Sequence, residues 1–331
     1  MNILVTGSSG WLGQTLVPRL QQEGHTVVGL DLVPASTTHA VGSVVDRALV
    51  RRTLQNNGID AIVHAGALHK PHVATHPPSQ FIAVNVQGTL NLLEEACAPG
   101  SAVDRFVFTS TTSLMISHEI RSGRDRGVSR AVWIDEEMAP LLPRNIYGVS
   151  KLSAEHLCRM YHESHGLPVV VLRTARFFPE EDDMAHEIIQ SGENTKANEF
   201  LYRRLTVEDA AEAHVAALQR APQLGFDTFI ISALTPFHPD DCEELMHDAP
   251  SVVAHYYPRY RAIYARRGWT MFESIDRVYD AGKAMRRLGF VSRTGFGEIL
   301  DQLESPGPRA SRALHERAGR ARSEDDRNPS P

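Results

Sequence analysis

Ile3-Leu4-Val5-Thr6-Gly7-Ser8-Ser9-Gly10-Trp11-Leu12-Gly13 is the stretch that decides the fold of this 331-residue chain. A β-branched apolar run passes into glycines spaced three apart, after which Leu12, Leu16 and Leu20 recur at helical spacing until Gly24. That order is strand, turn, helix. Glycines lacking Cβ atoms permit a tight turn and the close approach of a pyrophosphate, whose charge the N–H groups at the helix start would meet. Asp31 stands 18 residues beyond Gly13, at the end of the next apolar run, Thr26 to Asp31. A carboxylate there accepts hydrogen bonds from both adenosine ribose hydroxyls and repels a 2′-phosphate, which favours NAD over NADP.

Outward from this unit the first half keeps alternating. Ile3 to Thr6, Thr26 to Asp31, Ala61 to Ala65, Phe106 to Ser110 and Val169 to Arg173 read as buried strands. Helices are expected over Leu12 to Glu23, Pro78 to Ala96 and Val149 to Ser164, the last carrying a stripe of Leu152, His156, Leu157 and Met160 that is either core or a dimer seam. Right-handed βαβ crossovers then build a parallel sheet covered on both faces. After Arg173 the pattern weakens: Phe177 to Phe200 is acidic, Val207 to Ala221 is a helix, Thr228 to Ser232 a strand, and Pro236 to Trp269 is rich in helix formers and tyrosine. The predicted class is α/β, a Rossmann-type doubly wound parallel sheet with a small mixed C-terminal region. Residues 1–176 form the NAD-binding domain, and 177–304 a substrate-binding region interleaved with its last elements. Residues 305–331 hold six arginines, four acids and one large aliphatic residue, Leu314, and are expected to be disordered.

Composition narrows the partners. A net charge of −6 sets repulsion against nucleic-acid backbones and anionic membranes. No apolar run approaches the roughly 20 residues of a membrane helix, and the start lacks a basic leader, so a soluble, unprocessed chain is expected. Cys97, Cys158 and Cys242 lie far apart and suggest neither disulfides nor zinc, which fits the cytoplasm.

Tyr147-Gly148-Val149-Ser150-Lys151 puts a phenol and an ammonium four residues apart, on one face if a helix begins here. An unperturbed phenol, with a pKa of about 10, is a poor base at neutral pH. Lys151 and the positive nicotinamide ring of the oxidised cofactor are expected to lower it, so that Tyr147 can take a proton from a substrate hydroxyl.

With these residues in view the chain resembles the extended short-chain dehydrogenase/reductase superfamily, the NAD-dependent epimerase/dehydratase branch. The resemblance runs from Met1 to about Leu303, on T-G-S-S-G-W-L-G, H-A-G-A at His64 to Ala67, N-V-Q-G-T at Asn85 to Thr89, F-T-S-T at Phe108 to Thr111, Y-G-V-S-K, and R-L-G-F at Arg287 to Phe290. It implies a Thr111, Tyr147, Lys151 triad in which Thr111 hydrogen-bonds the reacting oxygen and Lys151 also reaches the nicotinamide ribose. It places Gly7, Ser9, Gly10, Trp11, Leu12, Gly13, Ala65, Gly66, Ala67 and Ser110 around NAD, with Asn85 bracing the site. Ser43 stands where relatives often bind the adenine amine through an acid, so Ser43 or the Val44 backbone takes that contact. Arg176 stands where sugar-nucleotide epimerases commonly have an asparagine. Tyr202 holds the place of a diphosphate-binding arginine, so that Arg203 or Arg204 substitutes or the phosphate site is absent.

Several clusters are open to more than one reading. His64, His69, His72 and His76 crowd the loop by the nicotinamide site; substrate contact by His69 or Lys70 is favoured over a metal, and no metal is expected. Thr112 is a further substrate candidate beside Thr111. Arg121, Arg124, Arg126 and Arg130 occupy a long segment that is either a solvated surface loop or an anion-clamping flap. Tyr257, Tyr260 and Tyr264 read as core or rim. The implied activity is that of a nucleotide-sugar 4-epimerase working through a transient keto sugar. The alternatives are a dehydrogenase of a free sugar, sugar acid or other small hydroxy compound, and a non-catalytic NAD-sensing protein. Dehydratase chemistry is disfavoured because Thr112-Ser113 follow Thr111 where an acid pair would be needed. A homodimer through the helices around Gly88 to Ala96 and Val149 to Tyr161 is implied by the family.

Overall fold

A computed structural model of the chain describes residues 1–122, 127–177 and 190–305. Arg124 and Arg126, the acidic run 178–189 and the tail from 306 lie outside them. The main sheet is parallel and seven-stranded: β1 (Asn2–Thr6), β2 (Thr26–Asp31), β3 (Ala40–Val41), β4 (Ala61–His64), β5 (Arg105–Thr111), β7 (Val169–Thr174) and β8 (Phe226–Ile231), in the order β3-β2-β1-β4-β5-β7-β8. The order reverses between β1 and β4, which opens a crevice beyond their C-terminal ends. Successive strand residues feed opposite faces: Ile3, Val5 and Val63 are buried in one core, while Leu4, Ile62 and Phe106 are buried in the other. Apolar residues at every position, rather than alternating ones, mark a sheet covered on both sides.

Helices α1 (Trp11–Gln22) and α8 (Val207–Leu224) cover the first face, α8 crossing α1, β5 and β7. The second face is covered by α2 (Arg47–Asn56), α4 (Gly88–Ala96) and α6 (Ile146–His165). The expected helix from Pro78 to Ala96 is observed in three pieces: α3 (Pro78–Phe81), a π-helical turn from Ile82 to Gln87, and α4. The extra residue of a π turn is a common device at functional sites. Here it carries Asn85, which is buried against the site described below.

β8 and α8 complete the main sheet from beyond residue 176. A second, two-stranded parallel sheet joins β6 (Val132–Ile134) to β9 (Arg277–Tyr279), with Val132 opposite Arg277 and Ile134 opposite Tyr279. Around it α7 (Gly192–Glu199), α9 (Cys242–His247), α10 (Ala249–Tyr256), α11 (Tyr260–Arg267) and α12 (Phe296–Glu304) enclose a third core. Tyr260 and Tyr264 lie inside it, and Tyr264 donates to Asn198 Oδ1 at 2.8 Å, so these tyrosines are packing residues. Helix α7 arises within the stretch read from sequence only as acidic; Ser191 caps it by accepting from Asn194 N. A short helix, α5 (His118–Ser122), carries Arg121. No helix among the described residues is long and apolar enough to cross a membrane.

Candidate active site

At the β1–α1 junction the glycines are required by contact as much as by conformation. Gly7 has φ +72°, and a Cβ there would lie 2.7 Å from the backbone of Gly66, while one on Gly13 would lie 2.2 Å from Gly7 O. The first pins the β1 turn against the β4 turn at the sheet's switch point, and the second lets α1 sit on β1. Helix α1 opens with Gly10 at its N-cap, with no side-chain cap and no acid in its first turn. Its leading N–H groups are therefore available to an anion. Asp31 ends β2 beside them, accepting from Ser9 N at 3.0 Å and Val33 N at 3.1 Å.

These groups border a cavity of about 410 Å³. All of Gly7, Ser9, Gly10, Trp11, Leu12, Asp31, Ser43, Val44, Ala65, Gly66, Ala67, Ser110, Tyr147 and Lys151 line it. Of the predicted cofactor residues only Gly13 and Asn85 do not, and both work from behind it. Leu68, Val84 and Phe177 were not foreseen and line it as well, as does His72 of the histidine-rich loop. Bare helix-start donors, a crossing of glycines and a strand-end carboxylate are a donor set that fits NAD.

Asn85 ties three elements together. Its Nδ2 donates to Leu68 O and to Ser150 Oγ, both at 2.9 Å, and its Oδ1 accepts from Leu68 N at 2.8 Å. Ser150 Oγ donates in turn to Tyr147 O at 2.9 Å, so the loop after β4 and the first turn of α6 are held by one amide. His64 continues this network instead of binding a metal. Thr89 Oγ1 uses its proton on Asn85 O at 2.7 Å, so His64 Nε2 donates to Thr89 Oγ1 at 3.0 Å and Nδ1 accepts from Thr6 Oγ1 at 2.7 Å. Complete burial, reinforced by the Lys151 charge, holds His64 neutral, well below the ordinary histidine range. Among the described residues no group of three or more His, Cys, Asp or Glu side chains could hold a metal.

Asn145 caps α6 by accepting from Gly148 N at 3.0 Å, and so sets Tyr147 in the first turn and Lys151 one turn on. Thr111 ends β5, opposite Thr174 of β7. Tyr147 is buried, and Lys151 is buried with its Nζ 4.0 Å from the centre of the Phe108 ring. The expected lowering of the phenol by Lys151 is not what the protein's own groups produce. Burial dominates both: Tyr147 is pushed up to about 12, with only the Thr111 hydrogen bond acting the other way, and Lys151 is pushed down to about 7. Desolvation disfavours each charged form, and at Lys151 it outweighs the nearby Cys158 and Glu155. Behind them Arg173 and Glu155 form a buried ion pair at 2.7 Å, and Ser110 Oγ donates to Glu155 Oε1 at 2.6 Å.

A second cavity, of about 550 Å³, adjoins the first. Tyr147, His69 and Thr174 line both. Predicted substrate residues His69, Lys70, Thr112, Arg176 and Arg203 border it together with Thr111. Arg204 does not: it is buried and pairs with Glu199 at 2.8 Å, which also holds Arg203. Arg121 lines the cavity, while Arg130 instead donates to Pro239 O at 2.7 Å. Arg144, Asn145, Arg277 and Tyr279 were missed. Nothing near Arg277 in sequence marks it, because it reaches the cavity only through the pairing of β9 with β6. Six cations, Lys70, Arg121, Arg144, Arg176, Arg203 and Arg277, border this space, and among the described residues no Asp or Glu does.

Comparison with known proteins agrees with this geometry. The sequence profile of the NAD dependent epimerase/dehydratase family matches residues 3–231. The chain is 28% identical over 260 residues to a protein of Bacillus subtilis named as an uncharacterised UDP-glucose epimerase, spanning 68% of this chain and 75% of that one. It is 26% identical over 333 residues to a UDP-glucose 4-epimerase of Streptomyces lividans, spanning 91% and 94%. A solved UDP-N-acetylglucosamine 4-epimerase from Bacillus cereus shares the fold at TM-score 0.61 and 22% identity, over 92% of this chain and 97% of that one. The chain belongs to the NAD dependent epimerase/dehydratase family and is an NAD-dependent enzyme of the extended short-chain dehydrogenase/reductase type.

Proposed function

We propose that the protein is a nucleotide-sugar 4-epimerase. The observation that carries this reading is the position of Tyr147, which lines both the dinucleotide cavity and a neighbouring cavity bordered by cations. A sugar seated between them would present a ring hydroxyl to the phenol, and its diphosphate would lie among arginines suited to bidentate phosphate contacts. Support comes from the near full-length match to the Streptomyces lividans UDP-glucose 4-epimerase.

NAD, when bound, supplies the hydride acceptor and a positive ring. Tyr147 takes the C4 hydroxyl proton, helped by the Thr111 hydrogen bond, and returns it when the 4-keto sugar is reduced on its other face. Because burial alone keeps Tyr147 protonated, Lys151 favours the phenolate only together with the positive charge of that ring. The buried Arg173–Glu155 pair and the Asn85 brace keep this constellation in place. Ile82 of the π turn and Val149 and Met160 of α6 are exposed apolar residues, and a homodimer through α4 and α6 is part of the proposal.

One observation favours a second reading, a net dehydrogenase of a sugar acid: Arg176, close after the end of β7, lines the cavity that holds Thr111 and Tyr147 and suits a carboxylate. A single assay separates the two. Nucleotide sugars, free sugars and uronic acids are each supplied with excess NAD, products are resolved by NMR and NADH is followed by absorbance. Epimerised nucleotide sugar without net NADH is expected; NADH accumulating in step with an oxidised sugar would replace the epimerase reading.

A further inference from the structure

Arg277 reaches the second cavity from β9. Side chains alternate along a strand, so Arg277 and Tyr279 border the cavity while Val278, between them, is buried in the third core. Arg277 is only 5% exposed, yet among the described residues its one hydrogen-bonding partner is Asp276, which accepts from Nη1 at 2.5 Å. Its Nε has no partner there. Nε–H and the adjacent Nη2–H lie on one planar edge, the edge that meets two oxygens of an anion side by side. A buried guanidinium with that edge unused carries a desolvation cost that a bound oxyanion would offset.

Backbone pairing gives the order of the residues along the cavity. Thr174 stands opposite Thr111, and two residues on, Arg176 N donates to Arg203 O at 3.2 Å. Beyond that segment, Tyr202 O accepts from Tyr279 N at 3.1 Å. Arg176, Arg203 and Arg277 therefore border the cavity from three successive neighbouring segments, the first of them joined to Thr174 and the last being β9. Arg203, in the middle, is tied to the buried Glu199 at 2.8 Å.

We infer that Arg277 holds the diphosphate of the substrate, and not a group on the sugar ring. C4, where a 4-epimerase reacts, and C1, which carries the diphosphate, are at opposite ends of a pyranose. A carboxylate on C5 is next to C4 and stays by Thr174 and Arg176. A phosphate on C1 is carried away from Tyr147 along the row of arginines, and two of its oxygens meet the Nε–Nη2 edge of Arg277. The inference rests on the reading of Tyr147 as the group that acts at C4.

Titration calorimetry of the full chain saturated with NAD, which fills the other cavity, tests it with two probes. Inorganic pyrophosphate is a diphosphate with neither sugar nor base, and D-glucuronate is a sugar carboxylate without phosphate. Arg277→Met is expected to weaken pyrophosphate by about tenfold or more, as the loss of charged hydrogen bonds requires, and to change the glucuronate Kd by less than about twofold. Should the methionine variant fold poorly, Arg277→Lys reads the same edge: it keeps the charge, loses the planar fork and is expected to bind pyrophosphate about threefold more weakly than the wild type. Pyrophosphate that does not bind the wild type, or binds both variants equally well, overturns the inference. So does glucuronate weakened alone, which would move the carboxylate to Arg277, or both probes weakened alike, which would make Arg277 a packing residue of the β6–β9 sheet. Pyrophosphate held through Arg277 by a protein that epimerises no nucleotide sugar would sink the epimerase reading and leave the phosphate subsite standing.

Discussion

The two cavities that meet at Tyr147 are built in different ways. The dinucleotide cavity is made by backbone and by residues that follow one another along the chain, as in Gly7 to Leu12, Ser43-Val44 and Ala65 to Ala67. The cavity beside it is made by long charged side chains from distant segments: Lys70 after β4, Arg144 before α6, Arg203 before α8 and Arg277 in β9. One recognises a ligand through fixed N–H groups and missing Cβ atoms; the other through side chains that a few substitutions would redirect. Such a division lets one cofactor scaffold serve many substrates.

The sharpest way to break the comparison is at the junction. Tyr147→Phe is expected to lower kcat about a thousandfold while leaving the Kd for NAD within a few-fold, because it removes a proton-transfer group and little contact. A comparable loss of NAD affinity in calorimetry would show that the phenol belongs to the cofactor half alone.

The next effect concerns the sheet that carries both cavities. His214 is buried, donates from Nδ1 to Ala210 O at 2.7 Å and accepts at Nε2 from Thr109, a residue of the dinucleotide wall. Burial pushes it down to about 4 from an ordinary 6.5. The unfolded chain therefore binds a proton between pH 6.5 and 4 that the folded chain refuses, and stability present above pH 6.5 is lost as the pH falls, by on the order of 3 kcal/mol at pH 4 from this group. Urea midpoints measured from pH 7 to 4.5 should fall more steeply for the wild type than for His214→Gln. Parallel slopes would remove His214 as the cause.

On the substrate side Arg277→Met is expected to raise KM for an anionic sugar nucleotide about 10- to 100-fold with NAD affinity unchanged, the worth of one charged hydrogen-bonding partner. A drop in kcat alone would assign Arg277 to the packing of β6 on β9. The smallest effect is at the α6 cap: Asn145→Ala should cost about 1 kcal/mol in chemical denaturation, with a few-fold loss in kcat as the first turn loosens. An unchanged midpoint would mean that the Gly148 N–H finds another acceptor.

Legibility followed the same division. The glycine loop, Asp31, Tyr147 and Lys151 were readable because each motif is local and its chemistry depends on spacing within one turn or one crossover. Asn85 was readable through resemblance, but its reach to both Leu68 and Ser150 depends on a π turn that no helical pattern announces. Arg203 and Arg204 are adjacent and alike in sequence, and both pair with Glu199; only packing puts the first against the cavity as well. The electrostatic expectation for Tyr147 failed for a related reason, since spacing reports which groups are near and says nothing of how much water they lose.

By itself, the amino-acid sequence determined the parallel sheet, the glycine turn with Asp31 near it and the candidate pair Tyr147 and Lys151, because strand periodicity, glycine turns and i to i+4 spacing act over a few residues. Only the tertiary structure decided the second cavity and the ionisation of the groups between the two. A three-residue strand that pairs across more than a hundred residues carries no local signal, and desolvation is a property of everything that packs around a group.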